Sequence, residues 1–168
     1  MRLPPFQFIV LTAFFGIFAF SSSTPAQRFN EQFRFDTKEL ESDIYARVNR
    51  QRTRRHLNML VWDERLARVA RDYSRQMSKE SFFGHVDPRG KAVQDRIGRT
   101  DIISWRKVGE NLFWVADLDD FGPLAVSKWM ASPTHRDNIL DREWTTTGIG
   151  VWCNDDSRCY ATQIFLTD

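Results

Sequence analysis

Near its C-terminus the chain carries two strand-like runs, Thr147 to Cys153 and Cys159 to Leu166, separated by the polar stretch Asn154-Asp155-Asp156-Ser157-Arg158. Runs joined by so few residues must return antiparallel, because a parallel return needs a crossover of a dozen residues or more. Cys153 and Cys159 are the only cysteines and stand on the two shoulders of this turn. In an exported protein they would form a disulfide that staples the hairpin. As a metal pair they lack further ligands of suitable spacing nearby. Gly148 and Gly150 inside the first run predict a place where another backbone approaches closely.

Helical signals dominate the earlier half. Asp36 with Glu39 three positions later reads as a capping box opening a helix over about 37–56, with Leu40, Ile44 and Val48 at a four-residue step. Asp63 caps a second helix, whose apolar stripe is Leu66, Val69, Ala70, Tyr73 and Met77. Gly84, Pro88 and Gly90 then break the chain into a loop, and Lys91 to Arg99 forms a short helix. Trp105 to Val115 reads as a strand, Asp117 to Asp120 as a polar break, and Phe121 to Ala131 as a helix. Ser132 as N-cap and Pro133 at the first helical position start another short helix. Helices, a strand, more helices and a hairpin predict an α+β domain with a small antiparallel sheet.

Residues 1–26 read as a secretory signal peptide: Arg2, an apolar run from Phe6 to Phe20, and a small-residue exit with cleavage after Ala26. Ser21 and Ser23 are alternative cleavage sites, and an uncleaved anchor is the other reading. Residues 27–36 form a lead-in and 37–168 the folded domain. No later stretch is apolar enough to span a bilayer, so the mature chain carries no transmembrane helix. The formal net charge of +2 argues against nucleic acid as a partner. Charge is uneven, however: residues 47–75 hold nine arginines against Asp63, Glu64 and Asp72. A solvated helix face accounts for such a run, and a basic surface for an anionic envelope polymer is the alternative.

Three residues stand out chemically. His85 lies in the Gly84–Gly90 loop behind Phe82 and Phe83, Glu110 interrupts an otherwise apolar strand, and His135 is the third residue of a helix. The helix dipole there disfavours a positive ring, leaving neutral imidazole, the form that binds metal or acts as a base. A carboxylate buried in a strand needs a partner, which Asn111 or a histidine can supply. Spacing alone leaves ordinary structural roles open for all three. His56, near the end of the first helix, suits the local dipole and needs no functional role.

The order FFGHVDPRG, VGENLFW, SPTHRDNIL, TTTGIGVW resembles the CAP superfamily (cysteine-rich secretory proteins, antigen 5 and pathogenesis-related class 1, or SCP-like domains), in its prokaryotic-type branch. The resemblance runs from about Ile44 to Phe165. It implies an α–β–α sandwich and a cleft tetrad of two histidines and two acids, which in some members holds zinc or another divalent cation. His85, Glu110 and His135 match three of the four positions, with Asn111 beside them. His85 and His135 are then the candidate ligands for Zn²⁺ or another divalent cation. The fourth, in a W-x-x-E segment, is here Ser132, so Asp137 or Asp120 would have to substitute. Asn49 and Arg52 match a family helix pattern and are expected to support the fold. The resemblance implies a secreted or periplasmic protein binding lipid, envelope polymer or peptide. The rivals are a metal-assisted extracellular hydrolase and an adhesive module using the arginine-rich face. A serine nucleophile at Ser132 is disfavoured, since capping is expected to occupy its hydroxyl and no nucleophile elbow surrounds it.

Overall fold

Helix α1 (Thr37–Thr53) begins at Asp36, whose carboxylate accepts from the Lys38 N–H at 3.0 Å. Helix α2 (Glu64–Lys79) begins in the same way at Asp63, which accepts from the Arg65 N–H at 2.8 Å. This computed structural model describes residues 36–102, 104–116 and 120–167. The expected leader, residues 27–35 of the lead-in, and Asp117 to Asp119 of the polar break lie outside those residues. The other elements are β1 (Val61–Trp62), α3 (Val93–Ile97), β2 (Lys107–Val115), α4 (Phe121–Ala131), α5 (Pro133–Leu140), β3 (Thr146–Cys153) and β4 (Cys159–Thr167).

The four strands form one sheet in the order β1-β3-β4-β2. The hairpin pairs antiparallel from Thr146↔Leu166 to Cys153↔Cys159, and those two cysteines are joined by a disulfide. Strand β2 runs antiparallel along the other side of β4, from Lys107↔Thr167 to Val115↔Cys159. The sheet differs from the expected antiparallel one at β1, which pairs parallel with β3. Two residues are too few to show a period of two, so the segment carries no strand signal in sequence. Its pairing is carried by Val61 N–H to Thr145 O and Asp63 N–H to Thr147 O, both 2.9 Å.

Alternation along the strands sorts the layers. Gly148, Gly150, Ile164, Leu166, Glu110 and Leu112 share the face covered by α2 and α3, where Leu66, Ala70, Tyr73, Met77 and Ile97 are buried. Asn111, Phe113, Ile149 and Phe165 face the opposite layer of α1, α4 and α5, packed on Ile44, Val48, Phe121, Trp129 and Ile139. The result is an α–β–α sandwich in which every residue of the central strand β4 is buried.

The two glycines of β3 do what close approach requires. A Cβ on Gly148 would lie 2.2 Å from the Ala67 nitrogen, and one on Gly150 2.0 Å from the Arg71 nitrogen. Helix α2 therefore rests with its backbone directly against the sheet. Asn49 and Arg52 are both buried and tie α1 to distant backbone. Asn49 exchanges two bonds with Leu60, of 3.1 and 2.8 Å, and Arg52 donates to the carbonyls of Asn58, Ile139 and Asp141 at 2.8 Å each. His56 stands beyond the end of α1 with φ of 57°.

Candidate functional site at the edge of strand β2

Among the described residues strand β2 pairs with β4 alone, so its outer carbonyls need other donors. Asn138 of α5 donates its side-chain N–H to Glu110 O at 3.1 Å, and Trp129 of α4 donates its indole N–H to Leu112 O at 2.8 Å. Asn138 also donates to Asn111 Oδ1 at 2.9 Å, and Asn111 Nδ2 donates to His135 O at 3.0 Å. These bonds seat the first half of α5, and His135 with it, against the strand.

Successive residues of β2 point to opposite faces, so Glu110 turns toward the layer from which the 80–92 loop arrives. There His85 Nδ1 lies 2.8 Å from Glu110 Oε1. The Glu110 side chain is 3 % exposed and the His85 side chain 56 %, so the pair has an inner acid and an outer ring. Two contacts hold the loop behind it. Tyr73 donates its hydroxyl to Gly84 O at 2.5 Å. The Asp87 carboxylate accepts from the N–H groups of Arg89 and Lys91 at 2.9 and 2.8 Å. Those backbone bonds, the Lys91 one foremost, hold the Asp87 carboxyl down at about 2. Burial pushes the Tyr73 phenol up to about 12.

His135 approaches the same edge from the other layer. Burial lowers its pKa, and the nearby charge of His85 lowers it further, so the neutral ring is favoured. Its Nδ1 lies 2.9 Å from Ser132 Oγ. This corrects the expected use of Ser132. The residue occupies the N-cap position of α5, but its side chain makes no capping bond. The hydroxyl goes to the imidazole instead. Both rings thus engage protein groups through Nδ1, and neither Nε2 has a protein partner among the described residues.

Sequence reasoning missed Arg96. From α3 it donates to Glu110 Oε2 through Nη2, and its side chain is 10 % exposed. A charged residue in a five-residue helix carries no signal of its own, since nothing in the sequence fixes which way so short an element is rotated. Asn138 was missed because a lone amide on the eight-residue α5 carries no pattern that marks it as a partner of the β2 edge.

The donor set does not fit a divalent cation. Among the described residues no group of three His, Cys, Asp or Glu side chains is arranged to hold a metal ion. Glu110 is engaged by Arg96, and neither proposed substitute acid completes the set. Asp120 precedes α4 at the end of that helix remote from Ser132, and Asp137 is exposed on α5.

The cysteine-rich secretory protein (CAP) family model matches residues 45–165. The chain belongs to the CAP family. Two Bacillus subtilis (strain 168) proteins are similar to this CAP domain. The uncharacterized membrane protein YlbC is 32 % identical over 75 % of this chain and 34 % of its own length. The uncharacterized protein YkwD is 31 % identical over 66 % of this chain and 41 % of its own. The chain thus spans well under half of these curated relatives. Among solved structures, an extracellular SCP-domain protein from Bacillus anthracis str. Ames superposes with a TM-score of 0.69. It is 27 % identical, over 87 % of this chain and 44 % of that one. An outer surface protein from Borrelia burgdorferi, 22 % identical, shares the fold with a TM-score of 0.72 over 79 % of this chain and 96 % of its own.

Proposed function

We propose that this CAP domain is an exported binding module whose ligand docks at the edge of β2, against His85, Glu110, Asn111 and His135. The observation that carries the reading is the His85–Glu110 pair. A buried acid orients an exposed ring whose Nε2 has no partner among the described residues, on a loop pinned by Tyr73 and Asp87. Apolar surface adjoins it. Phe83 and Val86 flank His85 and are 48 % and 54 % exposed, and Trp114 is 43 % exposed on the Glu110 face of β2. Trp114 packs edge-on to Phe83 with ring centres 6.5 Å apart. Polar nitrogens beside exposed aromatic rings suit a ligand with both apolar and hydrogen-bonding faces, such as envelope polymer, lipid or peptide material.

Export is supported by the leader-like first 26 residues and by the extracellular or surface naming of structural neighbours. No helix among the described residues is long and apolar enough to cross a membrane. The arginine-rich run favours an adhesive role less. Arg47, Arg65, Arg71 and Arg75 pair with Asp43, Asp63, Glu41 with Glu64, and Asp72, while Arg52 is buried.

Co-sedimentation with purified peptidoglycan and with phosphatidylglycerol vesicles tests this reading. Wild type is retained by one of them, and His85→Ala/His135→Ala is not. Retention that survives the double substitution and vanishes with salt would transfer the function to the arginine face. Chelator-sensitive turnover of peptide or cell-wall material would make the domain a hydrolase.

A further inference from the structure

Arg96 is held in the edge site through its ring-facing side and both terminal nitrogens, and Nε alone has no hydrogen-bond partner among the described residues. Its guanidinium carbon lies 3.3 Å from the centre of the Tyr73 ring, a cation–π contact beneath it. Nη1 donates to Lys91 O at 3.2 Å and reaches His85 O at 3.5 Å, while Nη2 donates to Glu110 Oε2. Tyr73 itself is 1 % exposed and bonded to Gly84 O. An aromatic face, two loop carbonyls and a buried carboxylate therefore define one place for one positive charge, and a side chain of the protein fills it.

We propose that Arg96 is the resident cation of this site and makes the His85–Glu110–His135 set select against divalent metal ions. The charge balance closes without a metal: one carboxylate faces one guanidinium. The position where the family pattern places a second acid is the neutral Ser132, bonded to His135. To gain Glu110 as a ligand, an incoming Zn²⁺ must break the Arg96 pair and strand a buried guanidinium without its carboxylate. To leave that pair intact it must make do with two imidazoles, fewer than the three protein ligands of a typical open zinc site. This selectivity is a property of Arg96 and holds whichever ligand the edge site takes.

The test is calorimetric titration of chelator-stripped protein with ZnCl₂, with Tm measured with and without the ion. Wild type, Arg96→Gln, Arg96→Lys, Arg96→Gln/Glu110→Gln and His85→Ala are compared. The expected result is no His85-dependent uptake by wild type or Arg96→Lys, which keeps the charge. Arg96→Gln gains affinity by at least about tenfold, the scale on which partners of metal ligands act. Zn²⁺ raises its Tm but not that of wild type, and adding Glu110→Gln abolishes the gain. One-to-one uptake by wild type that His85→Ala removes would overturn the proposal. So would an Arg96→Gln that binds no more tightly than wild type. If Arg96→Gln does not fold alone, the wild-type titration decides: His85-dependent uptake overturns the exclusion and its absence upholds it. Co-sedimentation reports separately on ligand docking, so either idea can fail without the other.

Discussion

Ser132 Oγ lies 2.9 Å from His135 Nδ1, although Ser132 stands where a helix cap normally bonds to backbone. The hydroxyl therefore serves the ring rather than the helix. Ser132→Ala should cost about 1 kcal/mol, the usual net worth of one hydrogen bond. In a His135→Ala background the same change should cost close to nothing. Chemical denaturation of the four proteins of that cycle checks it. An equal cost in both backgrounds would mean that Ser132 acts as a backbone cap after all.

Backbone contact between α2 and β3 leaves no room for a methyl group. Gly150→Ala, whose Cβ would fall 2.0 Å from the Arg71 nitrogen, should destabilise by about 3 kcal/mol or fail to fold. Gly84→Ala is the control: its Cβ meets only Val86 O at 3.8 Å, so the change should stay within about 0.5 kcal/mol. Urea midpoints measure both.

Asp87 gives the His85 loop a pH limit. Its carboxyl is held at about 2, below the ordinary 3.8, by the N–H groups of Lys91 and Arg89. A depressed acid stabilises the fold above its unfolded value, so that contribution is complete above about pH 4 and fades as pH falls toward 2. Asp87→Asn should flatten the acid limb of a stability-versus-pH curve between those limits. An unchanged limb would show that the carboxylate contributes nothing there.

The Cys153–Cys159 bridge closes a short loop between paired strands. Chain-entropy arguments give it about 2 kcal/mol. Reduction, or Cys153→Ser/Cys159→Ser, should lower stability by that amount while leaving the fold intact, because Gly148 to Val151 pair with β4 independently. Loss of folding on reduction would contradict this.

Much of this architecture is legible in the residues because its signals are local. Asp36 and Asp63 announce helices, Gly148 and Gly150 announce a close approach, and two cysteines bracket a hairpin. The hidden parts join residues far apart in sequence through side chains. Glu41 accepts from Arg71 and from the Val151 N–H, linking α1, α2 and the edge of β3 across 30 and 110 positions. Arg96 meets Glu110 from a helix too short to show a face. His85 and Glu110 were legible as candidates because a carboxylate inside an apolar strand demands a partner. What that partner set would be was not, since two groups, His85 and Arg96, divide the two oxygens.

Rings from two different layers share one place at the edge of β2. Titration of His135 by NMR in wild type and in His85→Ala is the decisive check on that arrangement. The expected wild-type midpoint lies below the ordinary 6.5 and rises when His85 is removed, but stays below 6.5 because burial, the larger cause, remains. A His135 midpoint unmoved by loss of His85 would mean that the two rings do not share a site.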